Sequence, residues 1–131
     1  MVITQQLLGY LLYLGAGLAM LSLFLVLYVR ITPNNEFRLI REGCVSAALS
    51  LGGALIGFSL TLASSALHSN SFSLFAFWAA CAAFIQLLAY WGVTHLVPNA
   101  SEALENNNIA VGALFGSISL AVGIVNAACQ Y

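Results

Sequence analysis

The sequence predicts an all-α integral membrane protein, a bundle of four membrane-spanning helices. Of its 131 residues, 62% are hydrophobic and only 5% are charged, whereas a soluble domain carries about 25% charged residues. The charged residues lie in two segments, near 30–44 and 98–108, and separate four long apolar runs. Because a bilayer offers the backbone no hydrogen-bonding partner, such runs must form helices.

The four predicted spans cover about 7–29, 45–67, 72–97 and 109–129. At 1.5 Å per residue, each can cross about 30 Å of hydrocarbon. The stretch "HSNS" at 68–71 predicts a tight turn between the second and third spans, and the other two connections are longer and polar. The N-terminal "MVITQQ" has no basic residue, so we interpret the first run as a retained anchor rather than a cleaved signal peptide.

The positions of the three arginines predict the orientation. Arg30, Arg38 and Arg41 all lie in or beside the first long loop, and the positive-inside rule places that loop in the cytoplasm. Four spans then put the second long loop in the cytoplasm and both termini on the outer side. An aromatic belt at the inner interface would comprise Tyr28, Tyr90 and Trp91.

Composition and spacing exclude several classes of function. The net charge is −1 and no basic patch exists, so no nucleic-acid partner is expected. Cys44, Cys81 and Cys129 have no metal-site spacing, and His68 and His95 fall at opposite ends of the bilayer. The chain also lacks a nucleophile–base pair and a phosphate-binding glycine loop. We therefore expect no catalytic residue, no cofactor and no metal, and hence no enzyme.

Small residues recur on one face of the second and fourth predicted helices, at alternating steps of four and three. Such steps keep residues on one helix face. A 66-residue shift relates the two sets, and it also relates Glu36 to Glu102. The pattern predicts two tandem helical hairpins, 7–67 and 72–129, which share one orientation as a parallel repeat. The small residues are Ser46, Ser50, Gly53 and Gly57 in the second helix, and Gly112, Gly116, Ser119 and Gly123 in the fourth.

Small residues let membrane helices approach closely and gain dispersion contacts. The two faces therefore predict a helix-packing interface. One interpretation is that the second helix packs on the fourth within one chain. The other is that the faces form a homo-oligomer interface or line a pore.

Two polar side chains lie well inside the predicted spans. Gln86 is near the middle of the third helix, with Tyr90 one turn later on the same face, and Asn126 lies on the small-residue face of the fourth. Such groups either bond between helices or mark a functional path. Since no acid, arginine or lysine lies within a span, a proton-coupled exchanger is not expected.

The first loop, "TPNNEFRLIREG", predicts a short helix capped by Thr32 or Asn34. Its apolar residues, Phe37 and Ile40, are expected to lie opposite the charged ones, Arg38, Arg41 and Glu42. Such a helix would lie on the membrane surface or dock a cytoplasmic partner.

The second loop, "NASEALENNN", places Asn99 three residues before Glu102. This spacing predicts a capping box at the start of a second short helix. Together the two loops supply the candidate contacts for a cytoplasmic protein, namely Phe37, Arg38, Arg41 and Glu102. Alternatively, both loops are solvated caps over the bundle.

The segments "ITPNNEFRLI", "GGALIGF", "FIQLLAYWGV", "SEALENNNIAVGALFGS" and "GIVNAAC", taken in order, resemble the YjfL-like family of small bacterial inner-membrane proteins. The resemblance covers nearly the whole chain. It implies an inner-membrane location and four spans built from a duplicated two-span unit. It also implies genes in membrane-stress or polyamine-linked neighbourhoods, and no settled molecular activity.

These observations predict a non-enzymatic membrane module or adaptor in contact with lipid. It would self-associate as a homo-oligomer and bind a cytoplasmic protein, in a role connected with envelope stress. The alternative is a small oligomeric channel or transporter for an ion or neutral solute, with Gln86 and Asn126 as its polar contacts. An adaptor should tolerate leucine at those two positions and fail when Phe37, Arg38 or Arg41 is changed, whereas a permeation path should do the reverse.

Overall fold

Six helices make up the computed structural model, which describes residues 2–31, 36–68, 71–97 and 99–130; no strand occurs within these ranges. Four of the helices are long and apolar enough to cross a membrane, which confirms the predicted fold class. The helices are α1 (Val2–Ile31), α2 (Glu36–Arg41), α3 (Val45–His68), α4 (Phe72–Leu96), α5 (Ala100–Glu105) and α6 (Ile109–Cys129).

The predicted spans agree with α3, α4 and α6 to within one residue, but α1 begins five residues earlier than expected. Gln5 and Gln6 are good helix formers, so they extend the helix beyond the apolar run from which its start was predicted. The Ser71 side chain accepts a hydrogen bond from the Leu74 N–H and caps α4. The predicted caps at Thr32 and Asn34, and the middle of the "HSNS" turn, lie outside the described residues.

The bundle is organised around α3, half of whose apolar span is buried, against 11% of that of α1. α3 and α6 run parallel, because Ser46 Oγ donates to the Asn108 carbonyl (2.8 Å) at one end and Ser64 Oγ donates to the Ala127 carbonyl (2.6 Å) at the other. We call the end that carries α2 and α5 the loop end, and the end that carries Val2 and Gln130 the terminal end.

Aromatic and amide contacts attach the other two long helices. Phe24 of α1 stacks on Phe58 of α3, with ring centroids 4.4 Å apart. At the terminal end, Ser65 Oγ donates to Gln130 Oε1 (2.6 Å), and Gln130 Nε2 donates to the Trp78 carbonyl (3.3 Å). One amide therefore joins α3, α4 and the end of α6.

Glycine permits a close approach of the backbones of α3 and α6. A methyl group built on Gly53 would collide with the backbone of Gly116, and one on Gly123 with the backbone of Gly57. One on Gly112 would collide with Ser46. Since only hydrogen atoms fit between the two backbones, dispersion contacts can form along both helices. We call this contact the small-residue seam; its residues are Ser46, Gly53, Gly57, Gly112, Gly116, Ser119 and Gly123.

The seam lies within one chain, as in the first of the two arrangements considered above. Ser50 of the same predicted face lies instead beside Tyr28 of α1. Hydrogen bonds across the seam join residues 61 to 63 positions apart, close to the 66-residue shift in the sequence. The tandem repeat and any oligomeric role of these residues remain predictions.

Replacing Gly53 by alanine should destabilise the bundle. The added methyl group must push the Gly116 backbone away, and inserting a methyl group into a packed core costs about 1–3 kcal/mol. Gly92→Ala is the matched control, because nothing lies within 4 Å of a methyl group at Gly92. Thermal unfolding of the purified protein in detergent should show a lower Tm for Gly53→Ala alone. Equal values for the two variants would contradict the close approach.

Candidate functional site: the loop end of the bundle

One face of α2 packs on the bundle, and the other face is exposed. Glu36 and Leu39 are buried, whereas Phe37 is 45% exposed and Arg38 and Arg41 are also exposed. The prediction that Phe37 would lie opposite the arginines is therefore wrong. The inward positions are taken by Glu36 and Leu39, which lie three residues apart and so share a face of the helix.

α5 is held in the same way, with Ala100 and Leu104 buried and Glu102 exposed. The predicted capping box at Asn99 is wrong. Asn99 adopts the left-handed conformation (φ 56°) and its side chain makes no capping bond, whereas a residue that caps through its side chain has extended backbone.

The asparagines that follow α5 cap the long helices instead. Asn107 Oδ1 accepts a hydrogen bond from the Ser46 N–H of α3 (3.0 Å), and Asn108 Oδ1 accepts one from the Val111 N–H of α6 (3.3 Å). Cys44 Sγ donates to the Leu104 carbonyl (3.1 Å). The two loops are therefore bonded into one surface, which we call the loop platform; its exposed residues include Phe37, Arg38, Arg41 and Glu102.

Beneath α2 lies a group of polar side chains that are almost completely buried. We call it the buried polar cluster. Its members come from four helices, and their exposed fractions are 0% for Tyr28, 1% for Glu36, 1% for Ser50, 0% for Gln86 and 6% for Tyr90.

Tyr28 connects most of the cluster. Its hydroxyl lies close to Ser50, and both Tyr90 and the Glu36 carboxylate are near enough to interact with it electrostatically. The Tyr28 and Tyr90 rings meet edge to face with centroids 5.3 Å apart, and Tyr90 packs on Phe115 of α6 at 5.6 Å. A carboxylate at the loop end is thus held beside neutral hydroxyl groups.

Two polar atoms of the cluster, Gln86 Oε1 and Tyr90 OH, have no hydrogen-bond partner within the described residues, whereas the Tyr28 hydroxyl and Ser50 Oγ lie close to each other. The great majority of buried polar atoms in folded proteins have at least one partner.

Gln86 extends the cluster toward the middle of the bundle. Its Nε2 donates to the Ser119 carbonyl of α6 (3.2 Å) and lies directly under Gly57. A side chain at Gly57 would displace it, so the seam makes room for this amide. Tyr90 follows one turn later and nearer the loop end, as the sequence predicted.

Asn126, the other predicted intramembrane contact, lies elsewhere. It is half-buried in a groove between α4 and α6, beside Ile85, Val125 and Cys129. Its Nδ2 has no hydrogen-bond partner among the described residues. The structure therefore does not bring Gln86 and Asn126 into one site. Within the described ranges, no three His, Cys, Asp or Glu side chains are grouped to hold a metal.

Sequence reasoning missed Glu36 and Tyr28. The sequence assigns Glu36 to the first loop and Tyr28 to the inner aromatic belt, and neither assignment predicts that the side chain is buried. No local signal distinguishes them, because their burial depends on how α2 folds back onto the bundle. The only sequence signal for these two residues is that they lie eight positions apart, on either side of the C-terminal end of α1.

Comparison with known proteins places the chain in a family. Residues 1–130 match the family model described as a domain of unknown function, DUF350. The chain belongs to the DUF350 family. This confirms the resemblance seen in the sequence. No solved structure matches the chain.

Two named relatives support the membership. The chain is 40% identical over 128 residues to the UPF0719 inner membrane protein YjfL of Escherichia coli strain K12, with 98% of this chain and 97% of that protein covered. It is 26% identical over 118 residues to the UPF0719 transmembrane protein YshE of Bacillus subtilis strain 168, with 88% of each covered. Both names describe membrane proteins, in agreement with the four apolar helices.

Replacing Asn107 by alanine should loosen the loop platform. The change removes the acceptor for the Ser46 N–H, and loss of such a cap costs about 0.5–2 kcal/mol. Limited proteolysis should then cut between α5 and α6 faster than in the parent protein. Asn106→Ala, an exposed change one residue earlier, is the control. Equal cleavage rates for both variants would show that the side chain of Asn107 does not hold the platform.

Proposed function

We propose that this chain is a non-enzymatic module of the bacterial inner membrane that self-associates and presents the loop platform to a cytoplasmic protein. The observation that carries the proposal is the construction of the platform. Cys44, which follows α2, donates to the Leu104 carbonyl of α5, and Asn107, which follows α5, accepts from α3, yet the platform exposes Phe37, Arg38 and Arg41. An aromatic ring beside arginines is the composition enriched at protein interfaces.

The rigidity of the platform supports docking more than simple capping. A loop that only closes a bundle has no need to bury Leu39 and Leu104 as anchors. Anchored helices lose little further conformational entropy when a partner binds. The platform is therefore organised before a partner arrives.

The proposed orientation puts the platform in the cytoplasm and both termini in the periplasm. All three arginines lie at the loop end, on or beside α2, as the positive-inside rule requires of a cytoplasmic surface. The inner membrane is the location given in the name of the Escherichia coli relative. A role in envelope stress agrees with this placement.

Self-association is supported by the outer side of α3 and α6. A groove there is lined by small residues, among them Gly52 and Ser117, and by the larger Leu49, Ile56 and Leu120, and nothing lies within 4 Å of a methyl group at Gly52. Small outward-facing residues permit a second helix to approach in lipid. Native mass spectrometry of gently extracted complexes should show oligomers that Gly52→Leu reduces and Gly92→Leu, an equally open glycine on α4, leaves intact.

Site-specific photocrosslinking tests docking directly. A photoreactive amino acid at Phe37, introduced in cells that contain the native membrane proteins, should produce an adduct with a second protein. The matched control is Phe84, a phenylalanine 62% exposed in the middle of α4, where only lipid or another copy of the chain should be labelled.

Charge removal makes the crosslinking test specific. Arg38→Gln together with Arg41→Gln should reduce the Phe37 adduct at least tenfold, whereas Arg30→Gln on α1 should leave it. An adduct containing only the chain itself or lipid would refute docking, and so would an adduct that persists without the two platform arginines.

A second candidate function, permeation of a small solute or ion, is favoured by one observation. Gln86 Oε1 is a buried acceptor without a partner among the described residues, and it lies near the middle of α4. Polar groups at that depth often mark transport paths.

Permeation has its own test in liposomes that contain the purified protein, with K⁺ and glycerol as probes. A permeation path should give flux above that of protein-free liposomes, and Gln86→Leu should abolish it. Gln6→Leu, an exposed amide in α1, is the control. If the protein is an adaptor, the parent protein and both variants should match protein-free liposomes.

A further inference from the structure

An apolar groove opens between α1 and α4, and it shares no residue with the loop platform or the buried polar cluster. Its volume is about 210 Å³, and Phe58, a buried residue of α3, lines its inner side. Both wall helices are long and apolar enough to cross a membrane, so the groove faces the hydrocarbon of the bilayer. The walls consist of Met20, Leu23 and Leu27 of α1 and of Ala76, Ala80 and Ala83 of α4.

The volume of the groove selects a thin occupant. Two turns of a helix 10 Å across fill about 800 Å³, which is several times the volume of the groove. A neighbouring helix could therefore cover the groove but could not enter it. A single hydrocarbon chain of a lipid is far thinner than a helix and can lie lengthwise between the two walls.

The residues of α1 that line the groove lead to an arginine. Met20, Leu23, Leu27 and Arg30 follow one another at steps of three and four, which keep them along one face of the helix. The rise from Met20 to Arg30 is about 15 Å, or half of the roughly 30 Å of hydrocarbon in a bilayer. A lipid chain that starts at the interface beside Arg30 would therefore end near Met20, at the depth of one leaflet.

The loop end of the groove has the residues that suit a phospholipid headgroup. The Tyr28 and Tyr90 rings are in contact, with centroids 5.3 Å apart. Arg30 follows two residues after Tyr28 and Trp91 one residue after Tyr90, so they lie at a similar depth on the two wall helices. Arg30 is exposed, and Trp91 is 62% exposed and packs on His95. Arginine binds phosphate oxygens in a bidentate manner, and tryptophan is enriched at the level of the headgroups.

We propose that the groove between α1 and α4 binds one anionic phospholipid of the leaflet at the loop end. One acyl chain would lie between Met20, Leu27 and Ala80, and the phosphate would bind Arg30, whose single positive charge matches the single negative charge of a phosphodiester. Trp91 would lie beside the headgroup. The proposal is independent of docking at the loop platform and of self-association.

Native mass spectrometry of the full-length protein in an uncharged detergent tests the site. The probes are phosphatidylglycerol, which is anionic, and a phosphatidylcholine with the same acyl chains, which has no net charge. The parent protein should bind one phosphatidylglycerol along a saturating curve. Its affinity should exceed that for phosphatidylcholine about fivefold, the contribution expected of one arginine near an anionic lipid.

Two variants assign the headgroup to Arg30. Arg30→Gln should lower the affinity for phosphatidylglycerol about fivefold, to that for phosphatidylcholine, because it removes the charge that binds the phosphate. Arg41→Gln is the matched control, since it removes the same charge from α2, outside the groove. It should bind both lipids as the parent protein does.

Two further variants assign the acyl chain to the groove. Ala80→Leu fills the groove from an exposed position and should weaken the binding of both lipids at least threefold. Ala19→Leu makes the same change at an exposed alanine of α1 outside the groove and should have no effect. If Ala80→Leu does not fold, Arg30→Gln decides the test, because its side chain is exposed.

Four results would overturn the proposal. Absence of a saturable first site, or equal affinities of the parent protein for the two lipids, would refute a site for an anionic lipid. A preference for phosphatidylglycerol that persists in Arg30→Gln would place the phosphate elsewhere, and unchanged binding in Ala80→Leu would place the chain elsewhere. A dimer that Ala80→Leu disrupts would show that a second copy covers the groove. Crosslinking at Phe37 remains the separate measure of docking.

Discussion

The close approach of α3 and α6 is the constraint on which the rest of the structure depends. In lipid, apolar surface alone gives helices little reason to associate, so backbones must come close enough for dispersion and polar contacts to form. Gly53, Gly116 and Gly123 allow this because no side chain separates the two backbones. Serine and threonine hydroxyls then reach carbonyl groups across the seam, as Thr61 does to Gly123 (3.3 Å).

Two further features follow from this contact. The parallel arrangement brings the starts of α3 and α6 to the same end, where Asn107 and Asn108 cap both helices. The two loops are therefore neighbours and can form one surface. The space over Gly57 also admits the amide of Gln86, which reaches the Ser119 carbonyl. The loop platform and the buried polar cluster therefore both depend on small residues of α3 and α6, which are far apart in the sequence.

The long helices differ in how much of their surface is buried within the chain. Half of the apolar span of α3 is buried, whereas α1 buries little beyond Phe24 and Tyr28. Those two aromatic residues lie toward the loop end of α1, beside the carboxylate that α2 carries. The loop end consequently combines an exposed surface that carries Phe37, Arg38 and Arg41 with an interior of buried polar side chains.

The sequence by itself determined the class of protein, the number of spans and most of their limits. A bilayer leaves an apolar run of twenty residues no other conformation than a helix. It also determined which face of α3 and α6 carries small residues, because helical spacing is local. The sequence could not decide which helix each small-residue face contacts, because packing within one chain and packing between chains would use the same residues.

Only the tertiary structure decided the inward position of Glu36, the placement of Ser50 beside Tyr28, and the outward position of Phe37. The loop prediction failed at these points because a six-residue helix has too few positions for a face to be assigned from hydrophobicity alone. Its orientation is set by how it packs on α3, and no pattern within the six residues encodes that packing. Burial of a polar group is a property of such an assembly, whereas helix formation in a membrane is a property of the segment itself.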